Sequence, residues 1–183
     1  MRGAEAVLEA KTLLGRRCVV KNRVRKGYRA EELDSRLRAA RTRGEARLLH
    51  KAKLAGVPCP TVLEAEEFAL TMTFMEGRHP KMEGGEAREA GRLLALLHRA
   101  DIIHGDYTPA NLFVSGGRIA VIDFGLGFVS NDIEDKAVDA FTMLRLLDSL
   151  GKEAFIAGYS AYEKSKKVLA RVKEVEKRVR YAF

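Results

Sequence analysis

Short apolar runs alternate with polar positions near the amino end, at residues 5–9 and in RCVVKNRV at 17–24, and both predict β-strands. The second is β-branched and carries Lys21 near its middle. The period then changes. From Ala30 to about Leu54, the residues Leu33, Leu37, Ala40, Leu48, Leu49 and Ala52 recur at helical spacing, which predicts one long helix with that face inward. Gly44 weakens this helix locally and is read as the mark of a close approach. GVPCP at 56–60 ends it, and TVLEAEEFALTMTFMEG at 61–77 predicts a hairpin of two strands. A helix follows at about 85–99, with Leu93, Leu94, Leu96 and Leu97 as its apolar side. LFVSGGRIAVID predicts two short strands around a Gly-Gly turn. Helices at about 132–150, using Ala137, Phe141, Leu144 and Leu147 on one face, at about 152–164 and at about 165–180 complete the chain.

Strands thus dominate up to about residue 80 and helices beyond it. The fold class is α+β: one domain over 1–183, with a β-rich N-terminal lobe (about 1–76) holding one long helix, and a helical C-terminal lobe (about 77–183). A chain of 183 residues is long enough for a well-buried core. It holds no apolar run long enough to span a bilayer, and MRGAEAVLEAK lacks the apolar centre of a secretory signal. The two cysteines, Cys18 and Cys59, have no metal-like spacing and read as reduced, partly buried thiols. Together these features place the expected protein in the cytoplasm, with no membrane association.

Charge is uneven. Residues 16–53 hold 14 Lys/Arg against 4 Asp/Glu, and the basic tail at about 164–183 holds 8 against 2. The whole chain is only +8, so the remainder is net acidic. Such asymmetry suits an acidic partner, nucleic acid first among them. The bland alternative is a set of solvated helix faces. The tail favours a partner, because no other need for its charge is visible in the sequence.

The chemistry-bearing stretch is HGDYTPANLF at 104–113, followed by DFG at 123–125. A protein-kinase catalytic loop reads HRDxxxxN and is followed by DFG. Here His104, Asp106 and Asn111 keep that spacing, with Gly105 in place of the arginine. Phosphoryl transfer asks a protein mainly to hold phosphates and metal in line and to neutralise their charge. Asp106 fits the group that accepts the proton of an attacking hydroxyl or positions a water. Asn111 and Asp123 offer hard oxygen ligands for Mg2+. Lys21, in CVVK, fits the strand lysine over the α- and β-phosphates of ATP, held by a helical carboxylate. Glu45 in RTRGEARLL is that carboxylate, with Glu31 and Glu32 as alternatives on the exposed first turn. His104 reads as a brace for the loop. Asp139 is either an acceptor for loop backbone or a solvated helical Asp.

Other expected parts are reduced. There is no GxGxxG, and GAEA at 3–6, with Gly3, is the stretch left to cover phosphates. Met75 and Glu76 fall where the chain would cross between lobes, and backbone near Glu76 could meet an adenine edge. LGFVSNDIEDKAVD follows DFG with no APE, so a full activation segment is absent, in agreement with the missing arginine before Asp106. The expected architecture is a minimal bilobal protein-kinase-like fold.

HGDYTPANL, IDFGLGF, EDKAVDAF, VVKNRVRKGYR, RTRGEARLL and GAEA together resemble the atypical, RIO-like small kinases of the KEOPS complex, over essentially the whole chain. The resemblance implies ATP and Mg2+ binding, serine-directed autophosphorylation or ATPase activity, and direct pairing with the tRNA threonylcarbamoyl transferase subunit among the other KEOPS subunits. It also implies a part in making threonylcarbamoyladenosine in tRNA, and it carries the family's functional positions onto Lys21, Glu45, Asp106, Asn111 and Asp123. The chain ends EKRVRYAF, where the family commonly has an Arg-Gly-Arg-like stretch. Two other readings stand beside it: a small-molecule phosphotransferase of the aminoglycoside or choline kinase type, and a kinase-fold scaffold with little turnover. The cationic 16–53 block and KGYR tell against the first, and the complete Lys–Glu–Asp–Asn–Asp set against the second.

Overall fold

The β-branched runs of the amino-terminal part pair into a single antiparallel sheet in the computed structural model, which describes residues 6–181. β1 (Ala6–Leu13) and β2 (Arg16–Arg23) form a hairpin, so the first strand is longer than the 5–9 expected from its apolar run. β3 (Val62–Ala65) and β4 (Ala69–Thr73) form the second hairpin, and the sheet order is β1-β2-β4-β3. β2 is therefore an inner strand, paired on both sides, which fixes where Lys21 points.

Between the hairpins runs α1 (Glu31–Leu54), with the expected bounds but a different inner face. Leu33 is 52% exposed and Leu37 is also exposed, whereas Asp34, Thr42 and Glu45 are buried. These join Leu49 and Ala52 in a stripe at helical spacing that is polar in its first half. Each of these polar groups is partnered: Glu45 meets Lys21 and Arg23 of β2, Asp34 accepts from the Lys26 amide and from Arg38, and the Thr42 hydroxyl donates to the Arg38 carbonyl. Gly44 does not mark a close approach; a Cβ there would meet no atom within 4 Å.

The C-terminal part is built around α2 (Gly84–Arg99), whose Leu93, Leu94 and Leu97 are fully buried, each stabilising by roughly 1.5–3 kcal/mol. β5 (Ile102–Ile103) leads into the HGD loop, and β6 (Leu112–Ser115) and β7 (Arg118–Val121) make the expected hairpin around Gly116 and Gly117. β8 (Phe128–Val129) pairs with β5, a two-residue ladder too short to announce itself by periodicity. The break expected between helices at about 150–152 falls earlier. α3 (Ile133–Leu144) stops, and α4 (Ser149–Tyr159) starts afresh where the Asp148 carboxylate accepts from the Gly151 amide at 2.7 Å. α5 (Ser165–Tyr181) packs on α3 through Val168, Val172 and Val175. Both cysteines are free and buried, and burial pushes the Cys59 thiol up to about 11. Among the described residues no helix is long and apolar enough to cross a membrane.

Candidate nucleotide and metal site

Two clusters assemble from four distant segments. In the first, the Lys21 ammonium donates to Glu45 Oε1 at 2.8 Å and to Asp123 Oδ1 at 2.7 Å. Glu45 is buried, while Glu31 and Glu32 are exposed, so the alternatives on the first turn do not reach the lysine. The Asp123 side chain is half exposed and also accepts from the Gly125 amide at 3.1 Å. Burial alone would raise its carboxyl, but the charge and hydrogen bond of Lys21 hold it below the usual carboxylate value. Asp123 has φ of +60°, an uncommon backbone conformation for a non-glycine residue.

In the second cluster the Asn111 amide nitrogen donates to the Asp106 carbonyl and to Asp106 Oδ2, both at 2.8 Å. The short 3-10 turn Pro109–Asn111 sets that reach. The clusters share a frame. Asn111 adjoins β6 and Asp123 lies two residues beyond β7, and the Ile122 amide donates to the Asn111 carbonyl at 2.9 Å. His104 ties them again. Its Nε2 meets the Ile122 carbonyl at 3.0 Å and its Nδ1 accepts from the Asp106 amide at 3.3 Å, a pattern that fits one neutral tautomer. Its ring lies 4.8 Å from that of Phe124. The brace read for His104 is the observed arrangement.

Asp139 resolves to the first of its two readings. It is 2% exposed and accepts from the His104 amide at 2.7 Å and the Gly105 amide at 3.0 Å. His98 lies against it at 3.3 Å, with its other nitrogen 2.7 Å from the Tyr159 hydroxyl. Burial pushes the His98 imidazole below its ordinary value of 6.5, against the pull of Asp139.

Gly3 lies outside the described residues. Met75 and Glu76 lie two and three residues beyond the end of β4. The Glu76 carboxylate is ion-paired with Arg17, whose guanidinium stacks over Phe74 with 4.4 Å to the ring centroid, and Met75 lines a cavity of about 400 Å³ with Val57, Cys59 and Ser115. Arg23 escaped the sequence reading. Its Nη2 donates to Glu45 Oε2 at 2.6 Å, and the signal was available in KNR, whose two-residue spacing places both cations on one strand face.

A β-sheet carrying one long helix, a helical partner layer and these joined clusters define a protein-kinase-like fold. The chain belongs to the RIO-domain family, whose model matches residues 15–143, and within it to the Bud32 homologues. It is 43% identical to a probable serine/threonine-protein kinase BUD32 homolog of Archaeoglobus fulgidus, over 94% of this chain and 93% of that one. It is 40% identical to a probable bifunctional tRNA threonylcarbamoyladenosine biosynthesis protein of Methanosarcina mazei, over 98% of this chain but 35% of the relative, so it spans about a third of that protein. In structure it is similar to the Rio2 kinase of Chaetomium thermophilum, solved as an ADP/Mg2+–phosphoaspartate complex. The TM-score is 0.66 at 13% identity, covering 100% of this chain and 70% of that one.

Proposed function

We propose that this chain is an ATP- and Mg2+-dependent atypical serine/threonine kinase or ATPase that supports threonylcarbamoyladenosine modification of tRNA as a KEOPS subunit, acting as one kinase-like domain beside the tRNA threonylcarbamoyl transferase. One observation carries the reading: Lys21, Glu45 and Asp123 meet in one ion-paired group joined by the β6–β7 frame to the Asp106–Asn111 pair. The bifunctional relatives support the pairing, since this chain matches only about a third of the M. mazei protein and the remainder is a neighbour supplied in the same polypeptide.

The donor set suits Mg2+ arriving with a nucleotide. Among the described residues no group of three or more His, Cys, Asp or Glu is placed to hold a metal alone. A cation that keeps waters and takes one or two protein oxygens plus phosphates needs no such cage. Asn111 commits its amide nitrogen to Asp106, which leaves its oxygen for the cation, with the Asp123 carboxylate as the second protein oxygen. Bound Mg2+ supplies charge neutralisation at the phosphates. Lys21, steadied by Glu45, orients the α- and β-phosphates. Asp106, steadied by Asn111, accepts the proton of the attacking hydroxyl or positions a water. The backbone of Met75–Glu76 would meet the adenine edge.

The test is incubation of the purified protein with radiolabelled ATP and Mg2+, with and without the transferase and tRNA, following labelled protein and free phosphate. Asp123→Ala is expected to abolish Mg2+-dependent turnover. A variant that turns over ATP at the parent's rate removes the metal assignment. Labelling of an aminoglycoside or choline in place of protein would favour the small-molecule phosphotransferase reading instead.

A further inference from the structure

Glu45 carries two cations. Lys21 occupies Oε1 at 2.8 Å and Arg23 occupies Oε2 at 2.6 Å. Both come from β2, and the Arg23 side chain is only 4% exposed. A guanidinium so deeply placed needs its carboxylate close. Gly125 lies against the same group: a Cβ there would be 3.3 Å from Arg23 Nη2, 3.6 Å from Glu45 Oε2 and 2.9 Å from Asp123 Oδ1. Arg23, Glu45, Lys21 and Asp123 thus form a line of alternating charge from β2 through α1 to the turn after β7.

We propose that Arg23 is the positioning residue that keeps Glu45, and with it α1, turned into the cleft whether or not Lys21 is engaged elsewhere. The inference rests on the nucleotide site proposed above. There, Lys21 must give up Asp123 and turn toward phosphates when nucleotide enters. With Lys21 as its one partner, Glu45 would share its counter-charge at that moment, and a buried carboxylate left short of a partner is costly. Guanidinium groups do not deprotonate in proteins, so such a hold is not a switch. The rest of the chain agrees with a fixed hold. The segment after DFG is short and pinned, with Phe128–Val129 paired to Ile102–Ile103 and the Ser130 amide donating to the Asp101 carbonyl at 3.0 Å. A permanent second ion pair does here what a mobile, phosphorylated segment does elsewhere.

The test compares the parent with Arg23→Met, Arg23→Lys, Glu45→Gln, the Arg23→Met/Glu45→Gln double variant and Lys21→Met. Titration calorimetry gives the MgADP Kd, turnover gives kcat and KM for MgATP, and thermal melts report folding. Arg23→Met is expected to weaken MgADP binding by roughly tenfold or more and to raise KM by a similar factor, with kcat falling less, as for loss of one partner from a buried pair. Arg23→Lys, which keeps the charge, should return both to within about threefold of the parent. The double variant should bind MgADP no worse than Glu45→Gln alone, because the effect of Arg23 on the nucleotide runs through Glu45. The proposal is overturned if folded Arg23→Met binds MgADP like the parent, or if its loss persists undiminished in the Glu45→Gln background. Should Arg23→Met fail to melt cooperatively, the same cycle is read with Arg23→Gln, which removes the charge but keeps a polar side chain, and parent-like binding or an undiminished loss in the Glu45→Gln background overturns it equally. Lys21→Met separates the two claims. If it abolishes MgADP binding and Arg23→Met does nothing, only the role of Arg23 falls; if it also leaves binding intact, the nucleotide site itself is wrong.

Discussion

Gly105 occupies the place of the arginine in HRDxxxxN, and the geometry there explains the exchange. Its φ is +79°, and a Cβ would stand 2.4 Å from the Leu126 carbonyl oxygen. The turn after DFG runs so close to the HGD loop that only a residue without a side chain fits. The contact is with backbone, so no rotamer change relieves it. Gly105→Ala is therefore expected to cost about 1–3 kcal/mol, through strain at positive φ and displacement of Leu126, and to lower ATP turnover by more than about tenfold because Asp106 is the next residue. Gly105→Arg should be worse, not a restoration of an ordinary kinase loop. Urea denaturation with a turnover assay checks both, and a Gly105→Arg protein with the parent's midpoint and rate would refute the steric account.

At the level of elements, the sequence was informative wherever apolar periodicity and turn chemistry agreed. α2 is delimited by its leucines, and the β6–β7 hairpin by its Gly-Gly turn. Lys21, Glu45 and Asp123 were legible as one group because motif spacing names residue types even when it says nothing of distance. What stayed hidden was packing that is not apolar. The buried stripe of α1 begins with Asp34, Thr42 and Glu45, so a hydrophobic search set Leu33 and Leu37 inside when they face out. The break between α3 and α4 lies several residues before the expected one at about 150–152, because Leu144 and Leu147 are both buried across it, and only the Asp148 cap reveals the new start. Helical glycines were equally opaque. Gly44 has open space around its missing side chain, whereas a Cβ on Gly158 would stand 1.9 Å from the Arg88 carbonyl oxygen, where α4 crosses α2. Gly44→Ala should then stabilise the protein by about 0.5–1 kcal/mol and raise the melting midpoint by about 2 °C. Gly158→Ala should destabilise it by about 1–3 kcal/mol as the helices are forced apart. Equal effects of the two substitutions in thermal melts would overturn this division.

For the whole molecule, the question is what the uneven charge serves. Part of the basic tail is already spoken for, contrary to the impression of unclaimed charge in the sequence. Arg171 and Arg178 both pair with Glu134 in the first turn of α3, Arg171 at 3.2 Å, and these pairs help to lay α5 against α3. Lys164, just before α5, and Lys166, Lys167, Lys173 and Lys177 on it remain exposed, away from the buried Val168, Val172 and Val175. A helix that docks by an apolar stripe and presents lysines outward is suited to the phosphate backbone of tRNA. Five Lys→Gln changes at those positions should leave the melting midpoint nearly unchanged, because surface charges contribute little and the docking contacts are kept. They should weaken tRNA binding, measured by filter retention across a salt series. The slope of log Kobs against log salt should fall by roughly 0.7–0.9 for each lysine that had met a phosphate. If the affinity drops while the slope stays at the parent's value, the lysines act through something other than phosphate contact. If neither changes, an acidic partner would have to meet the 16–53 block instead, where Arg25 and Tyr28 are exposed.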